Sequence, residues 1–175
     1  KQAASLDFVS NGRFMLGLGV GWLEEEFKAL GVPFERRGAR ADDYLAAMRK
    51  VWSGEVVEHE SEFLSWHGFK SYPVPMQSPL PIVIGGSKGK ALERVARFAD
   101  GWYAPTATID QIAALLPKLD EACRKVGRDR KSIEITTMWI PPMEGPDVVK
   151  RYAELGVSRL LVPLLALAMG GDPIE

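Results

Sequence analysis

Two clusters of small residues in this sequence could do chemistry. The first is an apolar run, Phe14-Met15-Leu16-Gly17-Leu18-Gly19-Val20-Gly21-Trp22, that ends in alternate glycines. With no Cβ at Gly17, Gly19 and Gly21, a flat ring could come close to the carboxyl end of a strand there. The competing reading is that small residues serve only packing and the turn. The second cluster, Gly85-Gly86-Ser87, stands between the apolar run Pro81-Ile82-Val83-Ile84 and a helical pattern. Free N–H groups and the positive end of a helix can hold a phosphate, with Ser87 as an extra donor. Gly89 would keep the backbone accessible, and Lys88 or Lys90 could add charge. The plainer alternative is a tight turn whose Ser87 caps the helix. A dinucleotide fingerprint fails: a G-x-G-x-x-G starting at Gly17 needs glycine where Trp22 stands, and one starting at Gly19 needs it where Glu24 stands.

Other reactive residue types carry less. His59 and His67 have no carboxylate or cysteine at ligand spacing, so both are expected on the solvent side, and no metal is expected. Cys123 has no basic or histidine signature of a nucleophile beside it and reads as a packing or surface thiol. As the single cysteine it cannot form an internal disulfide, which points to a reducing compartment, the cytoplasm. Trp102 reads as core or rim.

These residues need elements to position them. Ala3, Ala4, Leu6, Phe8 and Val9 show helical spacing that ends at Asn11-Gly12, so the chain is expected to begin inside an element. Arg13 to Leu18 then reads as a buried strand with a glycine-rich exit. Glu24 to Leu30 makes a short helix, and a longer one is expected from about Ala39 to Trp52, with Tyr44, Leu45, Met48, Val51 and Trp52 on one side. Val56 to His59 and Glu62 to Trp66 alternate around a polar turn and predict a hairpin, followed by an extended passage through Pro73, Pro75, Pro79 and Pro81. This region, about 54–80, reads as an insertion. Four further strands are expected at Pro81 to Ile84, Asp100 to Ala104, Ile133 to Trp139 and Val157 to Pro163. Helices alternate with them at about 91–98, 110–126 and 146–155.

Strands alternating with helices imply α/β architecture with a parallel sheet and right-handed crossovers. Five units fit, and an eight-stranded barrel takes about 250 residues. Residues 1–175 are therefore expected to form one domain, a partial (β/α)8 TIM barrel holding strands 4–8 and lacking the first three. Composition agrees with a globular chain, at 46% hydrophobic and 26% charged residues. A net charge of −1 with mixed signs gives no face for nucleic acid or a membrane surface. The longest apolar run, Leu160 to Met169, is too short to span a bilayer, and no leader is recognised.

Taken together, Ser10 to Trp22, Glu25-Glu26-Phe27, Ala29 to Phe34, Arg36-Arg37-Gly38, Met48-Arg49 with Trp52, Pro73-Val74-Pro75 with Gln77, Ile84 to Ser87 and Ala99 to Trp102 resemble the luciferase-like monooxygenase family. The resemblance runs from about residue 1 to residue 165 and departs at Ser61-Glu62-Phe63, where relatives often carry a glycine in the hairpin turn. It implies a flavin or deazaflavin held by Gly19, Gly21, Gly85, Gly86 and Ser87. The run Gly19 to Trp22 followed by Glu25-Glu26-Phe27 resembles the coenzyme F420 branch best, which implies an oxidoreductase moving a hydride between F420 and an organic substrate. An FMN-dependent monooxygenase is the alternative, and a catalytically silent assembly module is the alternative of another class. The resemblance names no general acid or base here. If the first three strands are absent, Phe14 to Leu18 and Val157 to Pro163 become open edges, and a homo-oligomer that covers them is expected.

Overall fold

Glycine and proline punctuation divides the chain into short elements, and the computed structural model describes residues 1–105, 108–140 and 144–165. Two units result, residues 1–82 and 83–175. In the first, α1 (Gln2–Val9) ends where Asn11 and Gly12 both turn to positive φ, 56° and 71°. Strand β1 (Leu16–Leu18) follows, then α2 (Glu24–Ala29), α3 (Arg37–Val51), and the antiparallel pair β2 (Val57–Glu60) and β3 (Ser65–Phe69). The hairpin sits later in the sequence than expected at its second strand. Ser61 Oγ accepts from Phe63 N at 3.1 Å and Leu64 N at 3.0 Å, while Ser61 N–H donates to Leu64 O at 2.9 Å, so residues 61–64 are turn rather than strand. A hydroxyl thus builds the turn that a glycine would otherwise make.

The expected stripe on α3 is only partly covered. Leu45 and Ala47 are buried, whereas Tyr44 is exposed, and Tyr44, Met48, Val51 and Trp52 line a cavity described below. A polar tie also holds this unit together. Asp7, fully buried on α1, accepts from Gln77 N at 2.9 Å and Gln77 Nε2 at 2.7 Å, and Gln77 Nε2 also donates to Phe14 O at 2.7 Å. One carboxylate thereby ties the helix to the proline-rich passage and to the entry of β1.

The second unit is built of βα repeats. Strands β4 (Ile82–Gly85), β5 (Gly101–Ala104), β6 (Glu134–Met138) and β7 (Val157–Leu161) pair in parallel, in that order. Helices α4 (Ala91–Phe98), α5 (Ile109–Lys125) and α6 (Asp147–Glu154) make the connections. Register puts Ile84, Trp102 and Ile135 side by side, and all three are fully buried, as side chains alternating across a pleated strand require. Val95 and Ala96 of α4 and Ile112 and Leu119 of α5 complete this core. Thr108 and Gln111 form a reciprocal cap at the start of α5, worth about 1 kcal/mol.

The larger sheet reads β1-β4-β5-β6-β7, and β1 is tied to the residue ahead of β4 by Leu16 N–H donating to Pro81 O at 2.9 Å. The α/β class and the five-stranded parallel sheet expected from the sequence are both present. Among the described residues no helix is long and apolar enough to cross a membrane. The end of the apolar run, residues 166–169, lies outside the described residues.

Candidate functional site

The exit of β1 separates its glycines by cause. A Cβ built on Gly17 or Gly19 would meet nothing within 4 Å, so packing inside this chain does not require glycine at either position. Gly21 is different: its φ is +81°, and a Cβ there would lie 2.5 Å from the Phe27 ring, so local structure already demands glycine. Phe27 meets Phe34 edge-on at 5.3 Å, and Arg37 stacks over Phe34 at 3.8 Å while its Nε donates to Gly21 O at 3.0 Å. The loop after β1 is thus folded back on the first turn of α3. Trp22 lies outside this packing and is 81% exposed.

On one side of β1, with α1, α3 and the hairpin, the first unit carries an open apolar cavity of about 890 Å³. Leu16, Leu18 and Gly19 line it together with Tyr44, Met48 and Trp66. Strand alternation turns Gly17 the other way, toward open space.

In the second unit, Gly85 closes β4 and Gly86 turns with φ +110°. Both backbone groups of Gly86 are committed to β5: its N–H donates to Tyr103 O at 3.0 Å, and its carbonyl accepts from Trp102 Nε1 at 2.8 Å. Trp102 was expected at the core or the rim, and it is core with a polar handle on the turn. Helix α4 starts at Ala91 with Lys90 as its cap residue, so Ser87 does not cap it, contrary to the plainer reading of that serine. The N–H groups of Ser87, Lys88 and Gly89 enter no backbone hydrogen bond among the described residues. Ser87 is half-buried, and Lys88, Gly89 and Lys90 are exposed. A rigidly anchored glycine followed by three uncommitted N–H groups and two lysines is suited to an anion such as phosphate.

His59 was expected on the solvent side and is instead buried, because β2 turns it toward α3. Its Nε2 lies 2.7 Å from Asp43 Oδ1, and Ser61 Oγ donates to Asp43 Oδ2 at 2.7 Å. Asp43 therefore holds the hairpin by two points, and the His59 ring stacks on Trp66 at 5.5 Å. Asp43 is 16 residues from His59, a separation at which no local spacing rule applies. His67 is exposed, between Glu58 at 3.4 Å and Glu60 at 3.5 Å. Cys123 is buried in α5, and burial pushes its thiol up from the usual value, which makes it a packing group. Tyr152, also buried, has its hydroxyl pushed up by burial and by Glu144, whose carboxylate oxygens it faces at 3.3 Å.

The parallel α/β sheet is of the barrel class, and β1 and β4 are each followed by a glycine-bearing turn. A profile of the luciferase-like monooxygenase family matches residues 1–144, and the chain belongs to that family. It is 34% identical over 162 residues to an uncharacterised protein of Mycobacterium tuberculosis, covering 92% of this chain and 56% of that protein. The chain thus spans little more than half the length of such relatives. Identity to an FMNH(2)-dependent dimethylsulfone monooxygenase of Pseudomonas putida is 22% over 138 residues, covering 77% of this chain and 38% of that protein. The fold is shared with an F420-dependent secondary alcohol dehydrogenase solved with an F420-acetone adduct. The TM-score is 0.76 at 14% identity, covering 91% of this chain and 66% of that one.

Proposed function

We propose that the protein containing this chain is an oxidoreductase that moves a hydride between coenzyme F420 and an organic substrate. The observation that carries this reading is the turn after β4, where Gly86 is locked to β5 and the N–H groups of Ser87, Lys88 and Gly89 are left for an anion. A cofactor phosphate would take those donors and the Ser87 hydroxyl, with Lys88 and Lys90 supplying charge. Gly85 and Gly86 let the backbone come close. In the first unit, the open space at Gly19 and the tight turn at Gly21 fit the edge of a planar ring. When bound, the deazaflavin supplies the hydride chemistry; the chain supplies binding, orientation and exclusion of water. The likeness to an F420-dependent dehydrogenase supports this choice of cofactor, as does the run Gly19 to Trp22 with Glu25-Glu26-Phe27.

The FMN-dependent monooxygenase is a second reading, favoured by the sequence match to the dimethylsulfone enzyme. Titration of the protein with F420 and with FMN, followed by cofactor fluorescence, separates the two. Saturable F420 binding at least tenfold tighter than FMN is expected. Ser87→Ala should weaken it about tenfold, the worth of one hydrogen bond to a charged group, and Gly86→Val should weaken it further. Tighter FMN binding would select the monooxygenase. If neither cofactor binds, the chain is a silent assembly module.

We also propose that the protein works in the cytoplasm, with its buried thiol reduced, and that copies associate through a sheet edge. Among the described residues strand β7 stands last in the strand order, and an unpaired edge is a template for another chain. Sedimentation velocity should show a dimer or larger species at micromolar protein, and a monomer across that range would remove the idea.

A further inference from the structure

The apolar cavity of the first unit carries one polar feature that its packing does not use. Its volume, about 890 Å³, falls within the usual range for sites that take small organic molecules. The walls are hydrocarbon and aromatic, and no aspartate or glutamate lines it, whereas Arg37 and Arg40 do. These two arginines are not equivalent. Arg40 spends both terminal nitrogens on backbone carbonyls, Nη1 on Pro33 O at 2.7 Å and Nη2 on Glu35 O at 3.2 Å. Arg37 is held by other means: Nε donates to Gly21 O, and the guanidinium plane lies over the Phe34 ring. Its two terminal amino groups have no partner among the described residues. An oriented guanidinium with both terminal nitrogens uncommitted, half-buried at an apolar cavity, is arranged for bidentate capture of an oxyanion.

We propose that this cavity binds an organic acid with an apolar body, its carboxylate on Arg37 and its hydrocarbon against Leu18, Tyr44, Met48 and Trp66. Trp66 is kept in the wall by the His59 ring, which Asp43 fixes, so those two residues position the surface that the hydrocarbon meets. The cavity shares Gly19 with the ring edge of the proposed function, and its test is run without cofactor.

Calorimetric titration of the protein with decanoate and with 1-decanol provides that test. Decanoate should bind saturably and at least tenfold tighter than the alcohol. Arg37→Gln should abolish that preference, and circular dichroism reports whether the variant is folded. Ala41→Trp, which fills the cavity from α3 one helical turn beyond Arg37, should remove binding of both ligands. Equal affinity for acid and alcohol in the unaltered protein would overturn the proposal. So would an acid preference that survives Arg37→Gln, or undiminished binding in Ala41→Trp.

Discussion

Trp102→Ala is expected to be the most destabilising single change in the second unit, costing about 3–5 kcal/mol, as truncation of a large buried aromatic does. The side chain is fully buried between Ile84 and Ile135 of the flanking strands, so its removal opens a void in the middle of the sheet's covered face. It also removes the donor to Gly86 O. Trp102→Phe separates these effects: most of the packing stays, the carbonyl loses its partner, and a cost of about 1–2 kcal/mol should remain. Urea unfolding measures both. A loss below about 1 kcal/mol in the alanine variant would mean that the indole does not hold this core. The phenylalanine variant bears on function too, because a Gly86 turn released from β5 should bind cofactor more weakly even where the fold persists.

In the first unit the largest effect is expected at Asp7. Asp7→Ala takes the acceptor from the part-buried Gln77 backbone N–H and from one hydrogen of its side-chain amide, and hydrogen bonds to a charged group are worth about 1.5–3 kcal/mol each. A loss of about 3 kcal/mol or more is expected. Asp7→Asn should recover only part of it, since its amide keeps one acceptor oxygen and turns a donor toward the other Gln77 donor. The acid limb gives an independent check. Burial pushes the Asp7 carboxyl up, but the hydrogen bonds from the Gln77 backbone and side chain and from the Met76 and Phe14 backbone together outweigh it, so the group titrates below its ordinary value of 3.8. A depressed folded-state value means that the stabilisation is fully present above the unfolded value and is lost as pH falls through the folded one. Stability of the unaltered protein should therefore drop below about pH 4, and Asp7→Asn should flatten that drop. Parallel acid profiles in the two proteins would show that Asp7 is not the linked group.

Asp7 shows where sequence reasoning stops. Asp7 sits in an amphipathic helical pattern in which a carboxylate reads as solvent-facing, and its partner Gln77 lies 70 positions away. Gln77 stood out only as part of a family motif, without a reason for being glutamine. The buried Asp43, His59 and Ser61 constellation was missed in the same way. The alternation of β2 identifies two faces but not which one α3 covers, and the burial of His59 follows from that choice. The helix after β4 begins at Ala91, as its spacing predicts, but its cap residue is Lys90 and not Ser87.

Local pattern determined the order of strands and helices and the parallel sheet, because hydrophobic period, glycine stops and β-branched runs are set by neighbours within a few residues, while the family came from a resemblance of motifs. It also singled out Gly19, Gly21, Gly85, Gly86 and Ser87, since turns announce themselves by composition. Only the tertiary structure decided which of those glycines are demanded by their surroundings, as Gly21 is, and which face open space, as Gly19 does. It also decided which polar side chains are buried and paired, and that Arg37 is anchored yet keeps two donors uncommitted. These are properties of contacts between segments that meet only in the folded chain, and the free energy of such contacts depends on burial and geometry that no single segment carries.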